Sequence, residues 1–142
     1  MINVAWISSY HIDCGIAQYV EHLEPELRKN NEINLKILPL PVDVSRAATK
    51  VARNITKQKY NDIKEELKEC DVTIIEWEPG LYGITPFEII SRLKIILRAS
   101  KKVLFVHHTV PNLSSSAKNW TINPWKIVRN IRSRYIFDKF FR

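Results

Sequence analysis

Apolar and polar positions alternate along this chain in a way that separates short strands from amphipathic helices. Residues 2–7, Ile-Asn-Val-Ala-Trp-Ile, form a short apolar run with the signature of a buried first strand. Ile16, Val20, Leu23 and Leu27 then recur at helical spacing, with Pro25 inside the pattern. A proline lacks the amide donor, so a kink or an early end is expected there. Leu35 to Leu40 reads as a second strand, closed by Pro39 and Pro41. Val44, Ala47, Ala48 and Val51 outline a helical piece within 42–56, and Tyr60, Ile63 and Leu67 outline a clearer helix. Residues 71–77, Asp-Val-Thr-Ile-Ile-Glu-Trp, are rich in β-branched side chains and predict a third strand.

The next helix carries the best start signal. Thr85-Pro86-Phe87-Glu88 is a capping box with proline at the first helical position. Phe87, Ile90, Leu93 and Leu97 are expected to supply its core face. Lys102 to His107 follows as a fourth strand. Asn123-Pro124 starts a last helix with Ile127, Ile131 and Tyr135 as its stripe. Strands that alternate with helices imply parallel pairing and right-handed crossovers. The fold class is therefore α/β, a Rossmann-like doubly wound parallel sheet. No strand follows the last helix, so 1–142 reads as a single, interrupted domain.

Length and composition change this picture little. The 142 residues are enough for one core, and 45% hydrophobic with 26% charged residues is ordinary for a globular domain. The amino-terminal apolar run is too short for a signal peptide or a membrane span, and a cytoplasmic location is expected. Cys14 and Cys70 have neither redox nor zinc spacing and read as free thiols. Charge is more informative. Residues 118–142 hold seven Lys and Arg against one acid, Asp138, so six of the seven net positive charges fall in this segment. Trp125, Tyr135, Phe137, Phe140 and Phe141 are interleaved with them. Such a segment is either a core-facing helix with a solvated side or an interfacial helix that would place the protein peripherally on an anionic membrane. No RNA- or DNA-binding motif accompanies the charge, so no nucleic-acid partner is expected.

In an open parallel sheet, ligands bind beyond the carboxyl ends of the strands. The three glycines, Gly15, Gly80 and Gly83, all fall in loops leaving those ends. Gly15 precedes a helix amino terminus, where outward amides suit a phosphate or diphosphate. Neither a GxGxxG fingerprint nor a P-loop is present, which removes the main support for dinucleotide or ATP binding. Glu76 and Glu78 straddle a strand end and face one side. They are candidates for acid/base chemistry or for binding hydroxyls, and Glu76 could equally be structural. His107 and His108 are adjacent on a strand and point to opposite faces, so no shared metal is expected. Either is a satisfied strand-end histidine or a hydrogen-bonding group for a hydroxyl or phosphate.

Three separated segments together resemble the amino-terminal domain of family-4-type glycosyltransferases of GT-B fold. These are Cys14-Gly15-Ile16-Ala17; the segment 71–83 ending Glu78-Pro79-Gly80-Leu81-Tyr82-Gly83; and Val103 to Pro111, with His107-His108-Thr109-Val110-Pro111. The resemblance spans nearly the whole chain but only the acceptor-side part of such enzymes. It implies that the amides of Gly15 and Ile16 lie near the diphosphate of a nucleotide-sugar. It places His108 near the transferred sugar, as the one catalytic candidate, and Glu78 by the acceptor. Tyr82 and Thr109 come with their motifs as substrate contacts. Here Cys14 stands where the family often has a first glycine, and Pro79 replaces a frequent aromatic. The implied activity is metal-independent sugar transfer with no cofactor, the nucleotide-sugar being a substrate. The acceptor would be a glycan or a lipid-linked group. The donor-binding half of the fold is not in this sequence, so the chain is expected to need it, either joined to it or as a separate partner chain. The alternative is a non-catalytic subunit that docks a partner and a membrane surface.

Overall fold

The computed structural model describes residues 1–47 and 49–108. Thr109, the basic segment 118–142 and the helix expected from Asn123 lie outside the described residues. Met1–His108 forms one compact unit. In chain order it contains β1 (Ile2–Ser8), α1 (Gly15–Arg28), β2 (Ile33–Pro39), α2 (Val42–Arg46), α3 (Lys50–Leu67), β3 (Val72–Trp77), α4 (Pro79–Tyr82), α5 (Pro86–Ala99) and β4 (Val103–His107). The four strands make one sheet in the order β2-β1-β3-β4, and every pairing is parallel. The fold is thus α/β with helices flanking a parallel sheet.

The strand order assigns the helices to faces. The step from β1 to β2 runs one way across the sheet, and the steps to β3 and β4 run the other. Right-handed crossovers then put α1 on one face and α3 and α5 on the opposite one. Packing agrees. Val4 and Trp6 of β1 cluster with Val20 of α1 and Leu35 of β2, and Leu27, Val72 and Ile74 join them. Even-numbered side chains of β1 and β3 therefore face α1. Odd-numbered ones, including Ala5, Ile7 and Ile75, all fully buried, face the other way. There α3 packs on α5, and the Arg92 guanidinium lies over the Tyr60 ring, 5.7 Å from its centroid.

Several expectations shift in detail. Helix α1 does not end at Pro25 but runs on to Arg28, and it buries Ala17 and Val20 rather than Leu23, which is exposed. The core stripe of α5 is Ile89, Leu93 and Ile96, while Phe87 is 80% exposed. At about 100° per residue, Phe87 sits about 200° round the helix from Ile89, on the far side from the sheet. The capping box forms as expected: the Glu88 amide donates to Thr85 Oγ1 at 3.2 Å, and the Thr85 amide donates to Glu88 Oε2 at 3.0 Å. The Thr85 amide, with the Thr85 hydroxyl and the Ile84 amide, holds the Glu88 carboxyl below its ordinary range, the Thr85 amide contributing most. Among the described residues no glycine has a φ in the left-handed region, where His11, at φ 53°, is the one residue found. Gly83 instead is needed for close packing, since a Cβ there would stand 2.8 Å from Glu88 Cβ.

Candidate functional site

The loops that leave the carboxyl ends of β1, β3 and β4 carry the candidate groups, and the parallel sheet brings these three strands side by side. The first loop is tied down by α1. The His11 amide donates to Glu21 Oε1 at 2.8 Å, and the Tyr10 hydroxyl donates to Glu24 Oε2. That hydrogen bond pushes the Tyr10 hydroxyl above its usual range and holds Glu24 below its own. Cys14 caps α1: its Sγ accepts from the Ala17 amide at 3.4 Å and lies 3.1 Å from Ser9 Oγ. A thiol in the N-cap position does the work more often given to serine or aspartate. Gly15 is the first helical residue and is exposed; Ile16 follows, half-buried. Nothing lies within 4 Å of where a Gly15 Cβ would stand.

At the centre of the rim the structure sets a buried carboxylate. Glu76 is 0% exposed. Its register partner on β4 is Val106, and its even-numbered position turns it toward the α1 face. The Trp6 indole N–H donates to Glu76 Oε1 at 2.6 Å, and Oε2 is hydrogen-bonded to His108 Nε2. Tyr19 of α1 stands edge-on to both partners. Its ring centroid is 5.3 Å from that of His108 and 6.4 Å from that of Trp6, with interplanar angles of 85° and 88°. Ser8 continues the same side of β1. It too is 0% exposed, and its Oγ has no hydrogen-bond partner among the described residues. Hydrogen bonds thus join Trp6 of β1, Glu76 of β3 and His108 just past β4, and Tyr19 of α1 packs against Trp6 and His108.

The expected site residues divide as follows. Gly15 and His108 both lie at this end of the sheet, and Tyr19 links α1 to the histidine. Glu78 lies one residue past β3 and is half-buried; it precedes α4 and sits beside Gly80, whose carbonyl accepts from Arg46 at 3.2 Å. Of the two glutamates, Glu76 is the one bound to His108. Tyr82 is fully buried and donates its hydroxyl to the Glu76 carbonyl oxygen at 2.8 Å, so it supports the backbone of the site from within. Burial pushes its hydroxyl well above the ordinary phenol range. His107 is directed away from His108 by the strand pleat and lies near Phe105, 6.2 Å between ring centroids. Among the described residues, no three His, Cys, Asp or Glu side chains gather as a metal-ligand group.

Sequence reasoning missed Trp6, Tyr19 and the cap role of Cys14, and it ranked Glu78 above Glu76. One signal was available: an acid inside an otherwise apolar strand that is buried on both faces needs a partner. No family model matches this chain, and neither a curated protein nor a solved structure shows similarity to it. Among the described residues, no helix is long and apolar enough to cross a membrane.

Proposed function

We propose that this chain is the amino-terminal, acceptor-side part of a GT-B glycosyltransferase that binds a nucleotide-sugar along the carboxyl rim of its sheet. The observation that carries the reading is the convergence of the α1 amino terminus and His108, linked through Tyr19, at one end of a parallel sheet. Helix-terminal amides suit a diphosphate. An imidazole at the same end of the sheet suits a sugar hydroxyl. Gly15 adds support: neither a positive φ nor a crowded neighbourhood demands glycine there. A close approach by a ligand would.

Transfer in this reading takes place in a cleft shared with a donor-binding domain, where amides and basic groups stabilise the leaving diphosphate. The chain alone should therefore turn over nucleotide-sugar weakly or not at all. Chemical-shift mapping of the 15N-labelled chain with uridine diphosphate tests the binding half of the claim. Shifts confined to the amides of Gly15, Ile16 and their neighbours are expected. Gly15→Ala should fold as well as the parent and lose those shifts. Robust transfer by the isolated chain, or an unperturbed Gly15 at millimolar ligand, would overturn the reading.

A further inference from the structure

We infer that Glu76 is a positioning residue, which holds His108 so that its Nδ1 faces the rim as a hydrogen-bond acceptor for a hydroxyl of the bound sugar. The identity of that ligand rests on the proposed function; the orientation of the ring does not. A lone carboxylate in a strand core is costly, and an apolar side chain of similar size would be cheaper. Glu76 is nevertheless fully buried between two nitrogen groups. The indole N–H of Trp6 can only donate, so Oε1 accepts. With the carboxylate acting as acceptor, His108 Nε2 carries the hydrogen shared with Oε2. In the neutral ring this leaves the lone pair on Nδ1.

Ring geometry completes the argument. The two nitrogens of an imidazole diverge, so a ring with Nε2 directed at buried Glu76 turns Nδ1 away from it. The His108 side chain is 23% exposed, against 0% for Glu76. Tyr19, edge-on at 5.3 Å, limits rotation of the ring. Trp6 fixes the carboxylate from the opposite side and touches the chemistry only through it. A bare Nδ1 accepts from a hydroxyl and repels an unprotonated phosphate oxygen. At this point of the rim the neutral ring therefore takes a hydroxyl donor, and the diphosphate is left to the α1 amides.

Histidine-selective 15N labelling of the full chain tests this. Long-range proton–nitrogen correlation at the alkaline end of the titration reads the tautomer of each of the four histidines, and His108→Gln identifies the signal. The expected result is a single Nε2–H tautomer for His108. It should give way to a mixture of tautomers in Glu76→Leu, which removes the acceptor, and be kept in Trp6→Phe. An Nδ1–H tautomer in the parent chain overturns the inference without any variant, even if Glu76→Leu does not fold. So does a ring that stays wholly Nε2–H in Glu76→Leu. UDP-glucose and GDP-mannose then supply the ligand arm. Movement of both the Gly15 amide and His108 Nδ1 supports the inference. Movement of Gly15 with Nδ1 unchanged overturns it and leaves the proposed function standing. If the Nε2–H tautomer is present and neither group responds, the sugar assignment fails along with the proposed function, while the ring orientation holds.

Discussion

The two faces of the same sheet are built on different principles. Toward α3 and α5 the strands present Ala5, Ile7 and Ile75, met by Leu93 and Ile96, all 0% exposed. Stability on that side comes from close packing and removal of apolar surface from water. Toward α1 the amino-terminal part of the strands is apolar as well, with Val4, Trp6 and Leu35. At the carboxyl ends, however, that face turns polar, with Ser8, Glu76 and His108 in place of aliphatic side chains. Packing there is exchanged for directed hydrogen bonds. The difference teaches where to look for function: one face is mostly close-packed, and the other gathers a buried carboxylate, an imidazole and a hydroxyl at its carboxyl end.

Substitutions can break or sharpen this contrast. The largest loss of stability is expected on the packed face: Leu93→Ala should cost about 3 kcal/mol in chemical denaturation, through lost transfer energy and the cavity left behind. Glu76→Leu should cost less, about 2 kcal/mol, because it strands the Trp6 indole N–H and the His108 nitrogen without an acceptor. If Glu76→Leu proved the more damaging of the two, the rim would be a structural keystone and the contrast would fail. Tyr82→Phe tests the seam between the faces. Its ring packs beside Trp77, 5.8 Å between centroids, while its hydroxyl bonds the Glu76 carbonyl. A loss of about 1 kcal/mol is expected.

The smallest effect concerns pH. The folded-state carboxyl of Glu88 lies below its unfolded value. Its contribution is therefore fully present above the unfolded value, near about 4.3, and disappears as pH falls through the folded one. Glu88→Gln retains the capping geometry but not the titration. Thermal melts of the two proteins between neutral and acid pH should converge on acidification, the parent losing its advantage of a few tenths of a kcal/mol. A constant gap across that range would show that the capping carboxylate does not titrate with folding.

Much of the fold was legible in the sequence because its signals are local. Apolar runs of strand length, helical spacing and the Thr85–Glu88 capping box are read within a few residues, and the order of strands and helices followed from them. What was not legible depends on register between distant strands. That Glu76 rather than Glu78 meets His108 follows from Glu76 pairing with Val106, and no local pattern states that pairing. The Trp6 bond to Glu76 spans 70 positions in sequence. The shifted core stripes of α1 and α5, in which Val20, Leu27 and Leu93 keep their expected places, have a related cause. Both helices carry more apolar residues than one stripe needs, so the sheet, not the periodicity, decides between Phe87 and Ile89.

The central place of β1 has a consequence for synthesis. This strand leaves the ribosome before the strands it pairs with, which are made much later: Ile2 pairs with Ile33, and Val4 with Val72. Until Trp77 has been added, one flank of Ile-Asn-Val-Ala-Trp-Ile is an open apolar edge of the kind that invites association with other nascent chains. Completion of the carboxylate–imidazole contact must wait longer still, for residue 108, so the polar cluster can close only after the scaffold beneath it has been made.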